Sequence, residues 1–513
     1  MYMKLYKLLF IAGAALLSSC NGFLDLVPGD KESGGSFYQT EEQLKQAVVA
    51  AYVPLRSLAD NDFFTGEGRS DNTHYDYTPA NRGSAYVFRE NIYDFVDGAE
   101  NTYTNAVYYH CYKGISRANI AIDYLEKASI DAGVKKNLMG QAQFLRAFFY
   151  YKLVRYYGGV PLYLHEVKTA EESFVARSSV DEVYTQIIND AKDAMDNLEA
   201  PKAFPQSGEA TKGAAVMLLS DVHVTRKNYK EAESLLKTLP AMGYGLLDSY
   251  DDVFATANKN SKEFLFSIQY LQGLQGGQES NFIYKFLPRS TNTRIVTGVA
   301  TNNSSLGGWN VPTKDLIEAY EAGDLRKNNS IGIAEGTYNS SYMFTYTGNA
   351  DIDNYIPQEG KEAVPYIKKY LNPHTDPNNT DDNWPVYRYA EALLFLAEAI
   401  NEQGRASEAL PYLNDIRKRA GLKAVTTTDQ ALLRDIILKE RRVELAFENK
   451  RWHDLVRSGK AVSVMNAYGK QLKKEYSYLI ESSYQVDENH LLFPLPFDEV
   501  EMNKKLKQNP GYK

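Results

Sequence analysis

The densest run of recognition chemistry in this 513-residue chain is Asp71-Asn72-Thr73-His74-Tyr75-Asp76-Tyr77, followed by Asn81-Arg82 and Tyr86. Rings alternate there with amides, carboxylates and a guanidinium. Sugars offer flat C–H faces that stack on rings and hydroxyls that need paired donors and acceptors, so these are the residue types that grip a carbohydrate. Trp309 is a second candidate, set in the Gly/Asn-rich stretch Asn302-Asn303-Ser304-Ser305-Leu306-Gly307-Gly308. The competing role for each ring is packing, which is what most aromatic side chains do. Tyrosine is over-used throughout, 39 Tyr against 22 Phe and 3 Trp, so most must fill half-buried helix seams and only a minority can serve recognition.

Other chemistries find less support. A glycoside hydrolase needs two carboxylates facing each other across a cleft, one with a raised pKa. Asp71, Asp76, Asp94 and Asp97 could be imagined there, but among 65 acidic residues such pairs are cheap. No Gly-x-Ser-x-Gly, His-Glu-x-x-His or phosphate loop occurs. The seven histidines lack ligand-like spacing and the two cysteines cannot make a zinc site. No cofactor is implied. A structural calcium at Asp376 to Asp382 or Asp351 to Asp353 stays open, although neither stretch has the oxygen spacing of a known loop and solvated charge is the simpler reading.

The chain carries a formal charge of −8, and no segment concentrates enough basic charge to track a phosphate backbone, which argues against nucleic acid. Lys4 and Lys7 precede an apolar run from Leu8 to Leu17 that ends in Ser18-Ser19-Cys20. A basic start, a short apolar stretch and small residues before a cut describe a signal peptide over residues 1–19. The run is too short to remain as a membrane span, and no later run approaches the ~20 residues a span needs. Leu-Ser-Ser-Cys resembles a bacterial lipobox, which would leave Cys20 acylated at a new N-terminus and anchor the protein to a membrane. Cys111 then has no partner, so no disulfide is expected, and its helical apolar surroundings make it a small buried hydrophobe.

Helices must position these residues. Thr40 and Gln43 form a capping box ahead of Leu44, Ala47, Val48, Ala51, Tyr52 and Leu55. Further apolar stripes run from about Tyr103 to Leu125 and from Leu138 to Leu153, the second stopping at Gly158-Gly159 with Pro161 beyond. Ser179 and Glu182 cap another. Leu218-Leu219-Ser220-Asp221-Val222 with Asn228 to Leu236 recurs 177 positions later as Phe395-Leu396-Ala397-Glu398-Ala399 with Arg405 to Leu413. Both read helix, short polar turn, helix, like tetratricopeptide hairpins that bury an apolar face by stacking on neighbours. Their separation predicts an interrupted array. Residues 60–102 and 270–385 lack sustained periodicity and read as long ordered loops, with β-like runs at Phe264–Tyr270 and Val364–Tyr370.

A series of blocks then points to a family. They are Cys20-Asn21-Gly22-Phe23-Leu24-Asp25 with Pro28, Arg146 to Tyr151 with Gly158-Gly159-Val160-Pro161-Leu162, and Trp309 with Pro312-Thr313. Arg388 to Leu394 with Ala397-Glu398-Ala399, Arg441 to Glu448, and Arg451-Trp452-His453-Asp454-Leu455-Val456-Arg457 follow, and the chain closes on Phe493 to Glu499, Asn503 and Gln508 to Tyr512. In this order they resemble the SusD/RagB family of outer-membrane lipoproteins of Bacteroidetes. Glu444, Glu448, Arg441, Arg451 and Trp452 sit at helical spacings and read as a helix junction held by ion pairs and an indole, not as a catalytic site.

The resemblance implies a mainly α fold: a scaffold of four tetratricopeptide-like helix pairs with long loop-rich insertions and a few short strands. Residues 20–513 would form a single domain whose ligand face is built from the insertions around 60–102 and 270–385. It implies a cell-surface protein that captures an oligosaccharide for a SusC-like TonB-dependent β-barrel transporter, anchored through acylated Cys20 and catalysing nothing. The ligand candidates on that reading are Asp71, Asn72, Tyr75, Tyr77, Asn81, Arg82, Tyr86 and Trp309. The same scaffold could present Tyr and Asn to a peptide, and the hydrolase is the remaining alternative. Acidic residues just after the lipidated cysteine favour surface export in such proteins, and here the nearest is Asp25, which keeps periplasmic retention open.

Overall fold

The computed structural model describes residues 38–80, 82–274, 276–353 and 355–512. Cys20, the leader over residues 1–19 and Asn81 lie outside the described residues. Among the described residues, no helix is long and apolar enough to cross a membrane.

The helices begin where their caps dictate. In α1 (Glu41–Tyr52) the Gln43 N–H donates to Thr40 Oγ1 at 3.2 Å and the Thr40 N–H donates back to Gln43 Oε1 at 3.0 Å. Then come α2 (Pro54–Phe63), α3 (Ser84–Asp94), α4 (Thr102–Lys127) and α5 (Ala132–Tyr157). Ser179 caps α6 (Val180–Asn197) in the same reciprocal way, and α7 (Lys212–Thr225) and α8 (Tyr229–Leu236) follow. After the long insertion the chain resumes as α9 (Tyr389–Glu402), α10 (Ala406–Arg419), α11 (Gln430–Glu444), α12 (Arg451–Arg457) and α13 (Ala461–Glu475).

From α4 to α8 each helix packs on the next, and α8 then packs against α9, which carries α10 and α11. The array interrupted in sequence is therefore continuous in space. The two copies fold alike down to their turns. Lys227 and Gly404, 177 positions apart, both adopt left-handed backbone, φ 60° and 78°. The amides of Asn228 and Arg405 donate to His223 and Ile400 carbonyls at 2.8 and 3.3 Å, again 177 positions apart.

The insertions are more regular than the sequence suggests. Residues 60–102 hold the end of α2, a π-helical turn over Phe64–Gly68, strand β1 (Thr73–His74) and α3. The α3 helix escaped detection because it buries Glu90 and Asp94 beside Ile92 and Tyr93, so its inner face is not apolar. Strand β2 (Phe264–Ile268) pairs antiparallel with β7 (Trp384–Arg388), closing the base of the second insertion. Within it, β3 (Val311–Pro312) pairs with β1 and ties the two insertions together, while β4 (Ile331–Tyr338) lies between β5 (Phe344–Asp351) and β6 (Glu362–Ile367). Strands β2 and β6 fall where the β-like runs predict. Strands β4 and β5, rich in Gly, Thr and Asn, gave no such signal.

The C-terminal blocks do not form one helix: α11 stops at Glu444, and Phe447 and Asn449 take left-handed φ of 68° and 59° before α12 begins. This break aims Glu444 and Glu448 into one buried ion cluster. Arg388 donates to Glu448 at 2.7 and 2.8 Å and to Glu263 at 2.9 Å. Arg419 joins Glu263 and Glu444 at 2.6 Å each, Lys369 donates to Glu448 at 2.7 Å, and Arg326 bridges Asp324, Glu440 and Glu444. Trp452 is buried edge-on to Phe95 at 5.5 Å, and Trp384 stacks on Tyr370 at 5.3 Å.

The paired turns give a test. A non-glycine residue held in left-handed backbone is strained by about 1 kcal/mol, so Lys227→Gly should raise the thermal midpoint and Gly404→Lys should lower it. Opposite or null shifts in scanning calorimetry would show that the two turns are not equivalent.

Candidate functional site

The segment after α2 is bolted from beneath before it reaches the surface. Glu67 is fully buried and accepts from Asn72 Nδ2 at 2.9 Å and from the Phe447 and Asn449 amides at 3.0 and 3.1 Å. Burial pushes its carboxyl up to about 7. Asp71 receives both prongs of Arg451, at 2.7 and 2.8 Å, and Arg442 at 3.0 Å. Burial opposes its charge, but Arg451 and Arg442 outweigh burial and hold the carboxyl below the ordinary range. Arg442 Nε also donates to Asn72 Oδ1 at 2.9 Å. Asp71 and Asn72, 2 % and 0 % exposed, are thus structural bolts and not ligand contacts, a correction to the sequence reading.

The next residues build a layer of rings. His74 Nε2 meets the Tyr478 hydroxyl at 2.9 Å and Nδ1 meets Tyr484 at 3.2 Å, while burial pulls its pKa down to about 3, so the imidazole is neutral. Tyr75 is buried and its hydroxyl donates to Asp94 Oδ2 at 2.9 Å. Burial drives the Asp94 carboxyl up to about 8. Trp309 is only 3 % exposed. Its indole lies edge-on to Phe64 at 5.4 Å and beside Tyr86 at 5.8 Å, with the Arg89 guanidinium 5.0 Å from the ring. Gly308, at φ 86°, delivers it: the Asp76 amide donates to the Gly308 carbonyl at 2.8 Å, and a Cβ there would lie 3.2 Å from Asp76 and 3.3 Å from Arg289. Tyr75 and Trp309 therefore buttress the surface from below and do not form it.

What remains accessible is a ledge. Tyr77 and Tyr478 stack face to face, centroids 3.9 Å apart and planes within 3°. Tyr476, 37 % exposed, continues the row, 5.3 Å from Tyr478 and 5.3 Å from the His74 ring that backs it. The Arg82 guanidinium lies 4.8 Å from the centre of Tyr77 and pairs with Glu90 at 2.7 Å. Tyr86 stands half-buried beside them, donating to the Ser304 carbonyl at 3.3 Å. Arg289 fixes the Asp76 carbonyl at 3.1 Å. Of the sequence candidates the structure thus brings Tyr77, Arg82 and Tyr86 to the surface together. Tyr476 and Tyr478 join the ledge without being sequence candidates; their Tyr-x-Tyr spacing matches Tyr75-Asp76-Tyr77 but is shared by the core-packed pair Tyr387 and Tyr389.

The candidate acids are committed elsewhere. Asp97 pairs with Arg69, Asp94 holds Tyr75, Asp71 holds Arg451, and Asp76 lies 3.6 Å from Arg289. Asp351, Asp353 and Asp381 pair with Lys368, Lys327 and Lys259 at 2.8, 2.9 and 2.9 Å, and Asp382 accepts from Asn372 at 2.6 Å. Among the described residues, no group of three His, Cys, Asp or Glu side chains could hold a metal. A cavity of ≈ 370 Å³ lies apart from the ledge, between α4 and the segment carrying Tyr163 and Phe174. A ledge is a surface, so cavity volume is not its measure.

Two family models match in tandem. The one described as starch-binding, associating with outer membrane, covers residues 22–224, and the SusD family model covers residues 262–512. Two SusD-like proteins of Formosa agariphila, P2 and P38, are 28 % and 26 % identical, over 99 % and 98 % of this chain and 100 % and 98 % of theirs. A solved structure described as a laminarin-binding SusD-like protein superposes with a TM-score of 0.74 at 23 % identity, covering 93 % of this chain and all of that one. The mainly helical tetratricopeptide-like scaffold is the fold of these structures.

Arg451→Ala would leave the buried Asp71 carboxylate with Arg442 as its one remaining ion partner and should cost about 3 kcal/mol in denaturant unfolding. Asp94 keeps its proton when folded and loses it near 3.8 when unfolded, so its contribution is complete below that value and declines as pH rises to about 8. Asp94→Asn should accordingly gain stability over the native chain in alkaline buffer and not in acid. Equal differences at both extremes of pH would remove the neutral-carboxyl assignment.

Proposed function

Because the chain belongs to the SusD/RagB family, we propose that it is a cell-surface lipoprotein of the outer membrane that captures oligo- or polysaccharide on the Tyr77–Tyr478–Tyr476 ledge and delivers it to a SusC-like TonB-dependent β-barrel transporter. Acylated Cys20 would tether it. The ligand is held and released unchanged.

The observation that carries this reading is the row of partly exposed tyrosine rings fixed in advance of any ligand. Contact between a ring and a sugar C–H face is comparable to an aromatic pair, about 0.5–1.5 kcal/mol beyond the area buried. A ring that is already immobile loses little rotamer entropy on binding, so more of that gain survives as affinity. Tyr77 is immobilised by Tyr478 and Arg82, and Tyr478 by the His74 imidazole. Several rings in a row suit a polymer better than a monosaccharide, since each sugar unit adds a contact. Support also comes from the starch-binding description of the N-terminal family model and the laminarin-binding description of a fold relative. Neighbouring Arg82 and Tyr86 would pair with ring hydroxyls, and Asn81 lies close in sequence to both.

Isothermal titration against a panel of plant, algal and host glycans tests the ledge. Tyr77→Ala with Tyr478→Ala should weaken binding roughly tenfold or more, equivalent to about 1.4 kcal/mol, with longer chains affected most. Trp309→Ala should act differently, lowering the melting temperature as well as affinity. Undiminished affinity in the double tyrosine variant would move the site elsewhere, and turnover of any glycan would sink the reading altogether.

A further inference from the structure

Arg82 is a half-used fork. Its Nη1 donates to Glu90 Oε1 at 2.8 Å, and its plane is held against Tyr77 at 4.8 Å. Its Nε and Nη2 donate to no described residue, and the side chain is 39 % exposed while the Glu90 carboxylate beneath it is 5 % exposed. Two contacts therefore fix the guanidinium and leave its Nε–Nη2 edge unpaired among the described residues. Two parallel N–H donors in a plane match the two oxygens of a carboxylate or sulfate, a geometry that a hydroxyl cannot fill.

The surrounding charges largely pair off. Arg89 and Arg289 both sit 5.9 Å from the Tyr86 ring, and Arg89 forms no ion pair among the described residues. The nearby carboxylates are already engaged. Glu90 belongs to Arg82 and Asp76 to Arg289, and Asp94, whose burial keeps it protonated at neutral pH, holds Tyr75. The pairs balance, so the selective feature of the ledge is the open edge of the Arg82 fork and not a net charge. A neutral glucan would leave this fork unanswered. We propose that the ledge selects an acidic glycan, with Arg82 taking a uronate carboxylate or a sulfate ester through its Nε–Nη2 edge while the sugar packs against the exposed parts of the Tyr77, Tyr478 and Tyr476 rings. This rests on the ledge being the glycan site.

Titration of the full-length protein in detergent separates the possibilities. The probes are oligogalacturonides and their methyl esters, sulfated carrageenan oligosaccharides and their desulfated forms, and neutral malto- and laminari-oligosaccharides. One acidic series should bind roughly tenfold tighter than its neutralised counterpart, which is the size of a charge-assisted hydrogen bond, and which series does so distinguishes carboxylate from sulfate. That preference should shrink as salt rises from about 50 mM to about 500 mM. Arg82→Gln should abolish it, bringing the acidic series down to the affinity of its neutralised counterpart. Since that change also strands Glu90, Arg82→Lys is the companion: it keeps the charge and loses the fork, and should give most of the same loss with an unchanged melting temperature. Neutral glycans bound as tightly as acidic ones, or a preference unmoved in Arg82→Lys, would overturn the inference while leaving the ledge intact. Binding of no glycan at all would overturn the ledge as well.

Discussion

A buried cluster of opposite charges holds this molecule together. Arg388, Arg419, Arg326 and Lys369 alternate with Glu263, Glu444, Glu448, Glu440 and Asp324, nearly all without solvent contact. Desolvating so many charges costs more than a hydrophobic core of the same volume would, so the cluster is better understood as a device for geometry than for raw stability. Each member has several partners, and removing one would leave uncompensated charge in a medium that cannot screen it. Burial alone would lower the Lys369 ammonium, and the cluster's carboxylates only partly offset it, leaving it near 8. Glu444 goes the other way: burial opposes its charge, but Arg419, Arg388 and Arg326 bring it down to about 2.

The cluster lies where three parts of the chain meet. Arg388 and Arg419 flank the α9–α10 hairpin of the helical array, Lys369 and Arg326 come from the second insertion, and Glu444 and Glu448 flank the break before α12. That break also supplies the Phe447 and Asn449 amides that hold Glu67, and α12 begins with the Arg451 that holds Asp71. The ledge is therefore one step removed from the cluster: its first insertion is clamped by the same turn that feeds Glu448 to Arg388. The left-handed Phe447 and Asn449 are costly conformations for residues with side chains, tolerated because so many hydrogen bonds depend on them.

This arrangement divides the tyrosines into two populations. Tyr75, Tyr93, Tyr156 and Tyr157 lie wholly inside, each hydroxyl spent on a fixed partner such as Asp94, Asn310, Asp62 or the Thr104 carbonyl. Tyr77, Tyr476 and Tyr478 use the same ring chemistry at the surface, where one edge or face stays free. An amphipathic ring can do either job, and nothing in composition says which tyrosine does which. The inner population makes the outer one rigid.

The sequence by itself determined the local pieces. Capping boxes at Thr40 and Ser179, the paired hairpins 177 positions apart and strands β2 and β6 are written in short-range spacing, because cap geometry and periodic burial are properties of neighbouring residues. The ordered blocks from Arg146 to Tyr512 likewise pointed to the family that the two matching models show. Only the tertiary structure decided which side chains face outward. Asp71 and Trp309 look like ligand contacts in the sequence and are buried by Arg451 and Phe64, residues distant along the chain. Tyr478, some four hundred positions from Tyr77, became half of the ledge. Exposure depends on what folds over a residue, and long-range pairing of charges and rings leaves no period in a single sequence for a reader to find.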